Sequence, residues 1–255
     1  MYILRHFVAV AITFIRCAFS LQFRLCGVWL LDSVLWLDDS LRLVFCRRRK
    51  VKCNCCGWRG NRFFMQTLVW KSHVHRSREL CPRCESLTRQ RQLARYLEGS
   101  TRLLSLDCPR ILEIGPSRAD VKWLHKHGLK NIIIVDITCG TASILMDITQ
   151  LGFKGNIFDF VVCSHVLEHA PADLVAMREM LRVMKMGGTC VIQVPMQLGL
   201  KETVEYGIPR PDEFDHVRAY GQDFGIRLAS VGFDIKCTED GLFEVTKPHL
   251  TAKAE

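Results

Sequence analysis

Five short apolar runs between residues 110 and 194, each stopped by a polar, acidic or turn-forming residue, limit what this chain can fold into more than any other feature. Arg110–Ile114 stops at Gly115-Pro116-Ser117, Asn131–Val135 at Asp136, Ile144–Met146 at Asp147, Phe158–Cys163 at Ser164-His165, and Thr189–Val194 at Pro195. Runs of this kind are how strands buried on both faces read, and such strands belong to parallel sheets covered by helices. Helical periodicity fills the gaps. A helix is expected from about Ala119 to His127, with Val121 and Leu124 inward and Gly128 as its stop. Another is expected from about Ala172 to Met186, with Leu174, Met177, Leu181 and Met184 in one stripe and Gly187-Gly188 closing it. A polar, loop-like insertion reaches to about Asp215, Gly221–Val231 reads as a helix, and Phe233–Cys237 with Phe243–Thr246 reads as a closing pair of strands about Asp240-Gly241. The fold class expected is a doubly wound α/β sheet.

The 255 residues leave room for a smaller module beside that domain, and charge divides the chain the same way. Residues 1–100 carry 18 Lys and Arg against 6 Asp and Glu, net +12, while residues 101–255 carry 17 against 20, net −3. Three segments are expected: an apolar and basic helical extension over 1–50, a cysteine module with a linker helix over 51–100, and the α/β domain over 101–250. The 13 cysteines form no compact disulfide framework, which points to reduced thiols and a metal. Cys53 and Cys56 make one C-x-x-C and Cys81 and Cys84 a second, the arrangement of a closed structural zinc site. Cys55 is the extra thiol, and Glu85 stands where such knuckles often have glycine. Cys163 and Cys190 read as small core residues. From Ser86 to Leu97, leucines mix with Arg89, Arg91 and Arg95, as in a helix whose charges are solvated or face an acidic partner.

In the first fifty residues, Arg16, Arg24 and Asp32 interrupt the apolar sequence, so no run suits a spanning helix. Phe7–Ile15 with Arg47–Lys50 fits a helix lying in a membrane interface, and equally a helix packed on the protein's own surface. Arg16 also spoils a signal peptide, so the expected location is cytoplasmic, with peripheral membrane contact through residues 1–50.

The order of LEIGP, VDIT, LMDIT, FDFVVCSHVLEH and RVMKMGG resembles the class I S-adenosylmethionine-dependent methyltransferases over about residues 108–247. CNCCGWRG and CPRCESLTRQR, with DHVRAYG downstream, resemble a bacterial subgroup of methyltransferase type 11-like proteins with an N-terminal zinc-ribbon-like module. The resemblance implies a Rossmann-like doubly wound seven-stranded sheet and S-adenosyl-L-methionine as cofactor, with structural Zn2+ at Cys53, Cys56, Cys81 and Cys84. It implies that Glu113 and Gly115 border the methionine part of the cofactor, that Asp136 takes the ribose hydroxyls and Asp147 the adenine amino group, and that Ser164 and His165 lie beside it. Asp136 follows Gly115 by 21 residues, a distance that suits a ribose-binding acid. Pro116-Ser117 departs from the further glycines common at this turn.

Methyl transfer from a sulfonium needs a base only where the acceptor arrives protonated. His165 and His216 are the catalytic candidates, with Glu168 and His169 behind them; His216 lies in a segment suited to substrate contact or to locking a loop. The expected acceptor is a small molecule, a glycan or a lipid-linked compound. RNA, held by the basic N-terminal part, is the second reading, and a non-catalytic binding protein is the third. Oligomeric state is not legible.

Overall fold

The computed structural model describes residues 23–45, 50–70, 73–99, 101–138, 140, 142–239 and 241–249. The segments Phe7–Ile15 and Arg47–Arg49, on which the membrane-interface expectation rests, and the turn residue Asp240 lie outside them. The chain divides into two compact units, Met1–Ala94 and Arg95–Glu255.

In the first unit, helix α1 (Phe23–Phe45) lies on a hairpin of β3 (Phe64–Trp70) and β4 (His73–Leu80), and a small pair, β1 (Val51–Lys52) and β2 (Arg59–Gly60), precedes it. The buried face of α1 is partly ionic. Asp32, Trp36 and Asp39 recur at helical spacing and point inward. Asp39 Oδ1 accepts from Arg62 Nε at 2.8 Å and Arg78 Nη1 at 2.5 Å, Asp32 pairs with Arg76 at 3.3 Å, and Trp36 meets Phe64 edge-on at 5.0 Å. Asp32 therefore belongs to the packing of the helix. Leu30, Val34, Leu37 and Leu41 form its exposed side. Among the described residues no helix is long and apolar enough to cross a membrane.

Helix α2 (Thr88–Gly99) runs through the boundary between the units. Its Arg91 is neither solvated nor presented outward. It is buried, donates from Nη1 to Ser86 O and Glu79 O at 2.7 Å each, and lies 3.8 Å over the Phe63 ring.

The second unit is a Rossmann-like seven-stranded sheet with helices. Its strands are β5 (Ile111–Ile114), β6 (Ile132–Asp136), β7 (Ile144–Leu145), β8 (Phe158–Ser164), β9 (Met184–Gln193), β12 (Asp234–Glu239) and β13 (Leu242–Thr246), in the order β12-β13-β9-β8-β5-β6-β7. β5 to β9 run parallel, and β13 is antiparallel to both its neighbours. The chain steps outward from β5 through β6 to β7 and then returns to β8. The crevice between β5 and β8 is therefore the switch point, where ligands of open α/β sheets bind at the carboxyl ends of the strands.

Three segments differ from the sequence reading. Helix α4 (Asp173–Val183) ends before Met186, and β9 begins at once at Met184. Met184 is fully buried at the start of the strand, so the apolar stripe continued into a strand that helical spacing alone could not separate from the helix. The insertion before Asp215 is not a loop but a hairpin, β10 (Val204–Arg210) with β11 (His216–Ala219). Helix α3 (Arg118–Lys126) starts and stops one residue before the expected Ala119 and His127, directly after Pro116-Ser117. Ser117 caps it, accepting from Ala119 N and Asp120 N, while Asp120 accepts from Ser117 N. This reciprocal box accounts for Pro116-Ser117: the proline precedes the cap and limits the approach of the chain. Helix α5 (Phe224–Ser230) completes the cover. Cys163 and Cys190 are buried in the core, where desolvation raises both thiols.

Candidate functional site

Four strand ends converge on one cavity of about 250 Å³ at the switch point. Gly115 after β5, Asp136 at the end of β6, Asp147 after β7 and His165 after β8 all line it, with Ile114, Ile137, Met146, Ile148, Val166 and His169 among the other walls. Gly115 has φ +61, and a Cβ there would come within 2.5 Å of Val166 Cγ2. Only glycine offers both that conformation and that close approach without strain.

The two acids are set by the same local device. In Asp136-Ile137-Thr138 and in Asp147-Ile148-Thr149 the carboxylate Oδ1 accepts from the backbone N–H and the hydroxyl of the threonine two residues on. Such turns fix a short acid at the end of a strand while a carboxylate keeps capacity for further donors. Ile137 is 72% exposed although it lines the cavity, which leaves apolar surface beside Asp136 for a flat ring to cover.

The other two residues that the resemblance placed here do not line the cavity. Ser164 donates to Gln193 Oε1 at 2.8 Å, toward the neighbouring strand. Glu113 is buried in β5, where desolvation first and the Asp120 charge second push its carboxyl well above the usual range. Between the unfolded value near 4.3 and that raised value, unfolding releases a proton, so stability falls as pH rises through this window. Glu113→Gln, which cannot titrate, is expected to lose less stability than the parent as pH rises from about 5 to about 8. Urea unfolding at both pH values reads the difference.

His165 has φ +56, and its Nδ1 lies 3.1 Å from Glu168 Oε1. In the tautomer in which Nδ1 donates to this carboxylate, Nε2 is left with the lone pair. His216 begins β11 and does not line the cavity. Its ring packs edge-on against His169 at 4.8 Å, and burial, the largest influence on it, holds its pKa below the usual value. Two successive left-handed residues, Phe214 and Asp215, aim it, and Val217 N–H donates to Glu168 O at 2.9 Å. The buried Arg218 donates to the carbonyls of Leu167 and Pro171 at 2.8 and 2.9 Å, so this part of β11 locks the loop that follows β8.

The cysteine pairs form a second centre, within the first unit. Sγ atoms of Cys53, Cys56, Cys81 and Cys84 all lie within 4.8 Å of one another, with Cys53 to Cys84 at 3.6 Å and Cys56 to Cys81 at 3.7 Å. Four sulfurs about 2.3 Å from one tetrahedral zinc are about 3.8 Å apart, so the donor set fits that ion. The two knuckles share one backbone design. Gly57 and Glu85 each adopt left-handed φ, +76 and +66, and donate to the carbonyl of the first cysteine of their pair. Cys53 N–H and Cys81 N–H donate in turn to Trp58 O and Ser86 O. Glu85 thus keeps the glycine-type turn despite its side chain. Buried Ser86 Oγ lies 3.2 Å from Cys53 Sγ and 3.3 Å from Cys84 Sγ, while Cys55 points instead at the Gln90 carbonyl.

The family described as "Methyltransferase domain" matches residues 98–192, which carry β5 to β8, α3, α4 and most of β9. Among solved structures the chain is similar to the cyclase SpnF, with 21% identity over 57% of this chain and 57% of that one and a TM-score of 0.43. It is similar also to the Burkholderia thailandensis 1,6-didemethyltoxoflavin-N1-methyltransferase, solved with its substrate and S-adenosylhomocysteine, at 12% identity over 64% and 79% and a TM-score of 0.49. An S-adenosylmethionine-dependent methyltransferase of Thermotoga maritima gives 15% identity over 61% and 94% and a TM-score of 0.42. The chain spans little more than half the length of the cyclase. No curated protein matches it. The part of the α/β unit from residue 98 to residue 192 is thus similar to the methyltransferase domain family.

Proposed function

We propose that the protein transfers a methyl group from S-adenosyl-L-methionine to a small-molecule, glycan or lipid-linked acceptor, and that zinc held by Cys53, Cys56, Cys81 and Cys84 is structural. The convergence of Gly115, Asp136, Asp147 and His165 on one cavity carries this reading. A ribose presents two adjacent hydroxyl donors that one carboxylate can accept together, the role assigned to Asp136. Asp147 accepts from the adenine amino group, with Ile137 and Ile148 against the ring. Gly115 gives the methionine end room, Glu113 supports that turn from within β5, and Ser164 holds the end of β8 beside it. The cofactor, when bound, supplies a methyl group already activated by its sulfonium charge. The protein's part is alignment and exclusion of water. His165 and His216 are the acceptor-side residues. His165, held by Glu168, presents the Nε2 lone pair toward the cavity and takes the proton of an acceptor that arrives protonated. The location that suits this activity is the cytoplasm, with residues 1–50 at the membrane surface.

Calorimetric titration of the full chain with S-adenosylhomocysteine tests the cofactor assignment. Asp136→Ala removes two charge-assisted hydrogen bonds and is expected to weaken binding about 100-fold or more. Equal affinity in the variant would sink it. Labelled cofactor incubated with separate metabolite, glycan, lipid and RNA fractions identifies the acceptor, and label in RNA alone would replace the acceptor class proposed.

A further inference from the structure

Beside the cavity lies a cluster that the methyl-transfer reading uses only in part. Glu168, His169 and His216 each bring one donor atom within 4.8 Å of the other two. Glu168 is 1% exposed, one of its oxygens is held by His165, and the other, Oε2, has no hydrogen-bond partner. Leaving a buried carboxylate oxygen unpaired costs free energy unless a cation or donor completes it. His169 and His216 each bring a ring nitrogen within 4.8 Å of this carboxylate, and each neutral imidazole keeps one nitrogen lone pair.

From this geometry we infer that Glu168, His169 and His216 bind a divalent first-row transition ion at the rim of the cavity. Two imidazoles and one carboxylate on one side of an ion suit Mn2+, Fe2+ or Zn2+ and leave positions open for a ligand. Bonds of about 2.1 Å place such donors about 3 to 3.5 Å apart, so filling the site draws the three side chains together by rotation. The surroundings are built for it. His165 Nδ1 engages Glu168 Oε1, the kind of outer contact that orients a ligating carboxylate. The main-chain bond from Val217 to Glu168 sets His216 over the loop from β8 although 47 residues separate the two side chains.

The functional consequence rests on the methyltransferase reading. His169 and His165 both line the cavity, so the open positions of the ion suit an acceptor that ligates through oxygen, such as a hydroxyl beside a second oxygen donor. The ion lowers the pKa of that hydroxyl. Its proton passes to His165 Nε2, the oxygen lone pair forms the new O–CH3 bond, and the C–S electron pair stays on sulfur, which leaves as a neutral thioether. His216 then acts as a ligand and His165 as the proton acceptor.

Manganese separates this site from the four cysteines, because Mn2+ favours oxygen and nitrogen donors over thiolates. Full-length, zinc-loaded protein is titrated with Mn2+ and the free ion is followed by electron paramagnetic resonance. The expected result is one Mn2+ per chain, weakened at least 10-fold in both His169→Ala and His216→Gln. Absent uptake, or equal uptake in both variants, overturns the inference. Titration of the same samples with S-adenosylhomocysteine keeps the two readings apart. Cofactor binding without Mn2+ uptake removes the metal site alone, and Mn2+ uptake without cofactor binding removes the acceptor role while leaving the site.

Discussion

Cys81→Ser is expected to remove one zinc per chain and, with it, the ordered structure of residues 51–94. Among the described residues between 51 and 94 the buried apolar ones are few, chiefly Phe64, Leu93 and Ala94 besides the cysteines themselves. A core that small does not hold a fold without a staple. A four-thiolate zinc centre contributes on the order of 10 kcal/mol in small modules, more than any other interaction visible in this segment. One lost ligand also leaves three sulfurs crowded without their cation. In the metal-free parent protein, hydrogen bonds from Cys55 and the other thiols push Cys53 down, while the hydrogen bond with Cys53 pushes Cys81 up, so the four groups cannot settle alike without the cation. Metal analysis and limited proteolysis mapped by mass spectrometry read both effects. The expected result is new cleavage between residues 51 and 94 in the variant and in chelator-treated parent protein; a metal-free chain that resists cleavage there would refute the structural role of zinc.

The cysteine centre and the cavity were legible for different reasons. C-x-x-C brings two thiols together within one turn, so Cys53 with Cys56 and Cys81 with Cys84 needed only local geometry. Gly115, Asp136, Asp147 and His165 needed the topology as well, but each ends an apolar run, and parallel strands place all such ends on one edge. The capping box at Ser117-Arg118-Ala119-Asp120 was visible in principle, though the acid in its last place is Asp rather than the commoner Glu. Long-range pairings were not visible. Nothing near Asp32 or Asp39 announces Arg76 or Arg78 as partners, and the inward turn of Arg91 depends on carbonyls of Glu79 and Ser86. The start of β9 was missed because Met184 satisfies a helical stripe and a buried strand equally. The meeting of Glu168 and His169 with His216 follows from a hairpin that reads as polar loop, since its exposed strand β10 carries little apolar patterning.

Arg218→Ala is expected to destabilise the α/β unit by about 3 to 5 kcal/mol and to disorder the loop after β8 before the sheet itself unfolds. The guanidinium is 2% exposed and collects the carbonyls of Leu167, Ala170 and Pro171, so alanine leaves three acceptors facing a void. It also stands 2.9 Å from Glu205 and 3.7 Å from the buried Asp173. Asp173 retains Arg227 at 2.8 Å and the Tyr220 hydroxyl at 3.0 Å, which limits the penalty on the acid and puts the main cost on the carbonyls. Lysine restores charge but not the planar fork that reaches three carbonyls, so Arg218→Lys is expected to recover less than half of the loss. The loop carries His165, Glu168 and His169, so its loosening weakens cofactor and metal binding together, whereas Asp136→Ala affects the cofactor alone. Chemical denaturation gives the stability change, and hydrogen exchange at residues 165–171 gives the local one. Unchanged exchange in a destabilised variant would show that Arg218 supports the sheet and not the site.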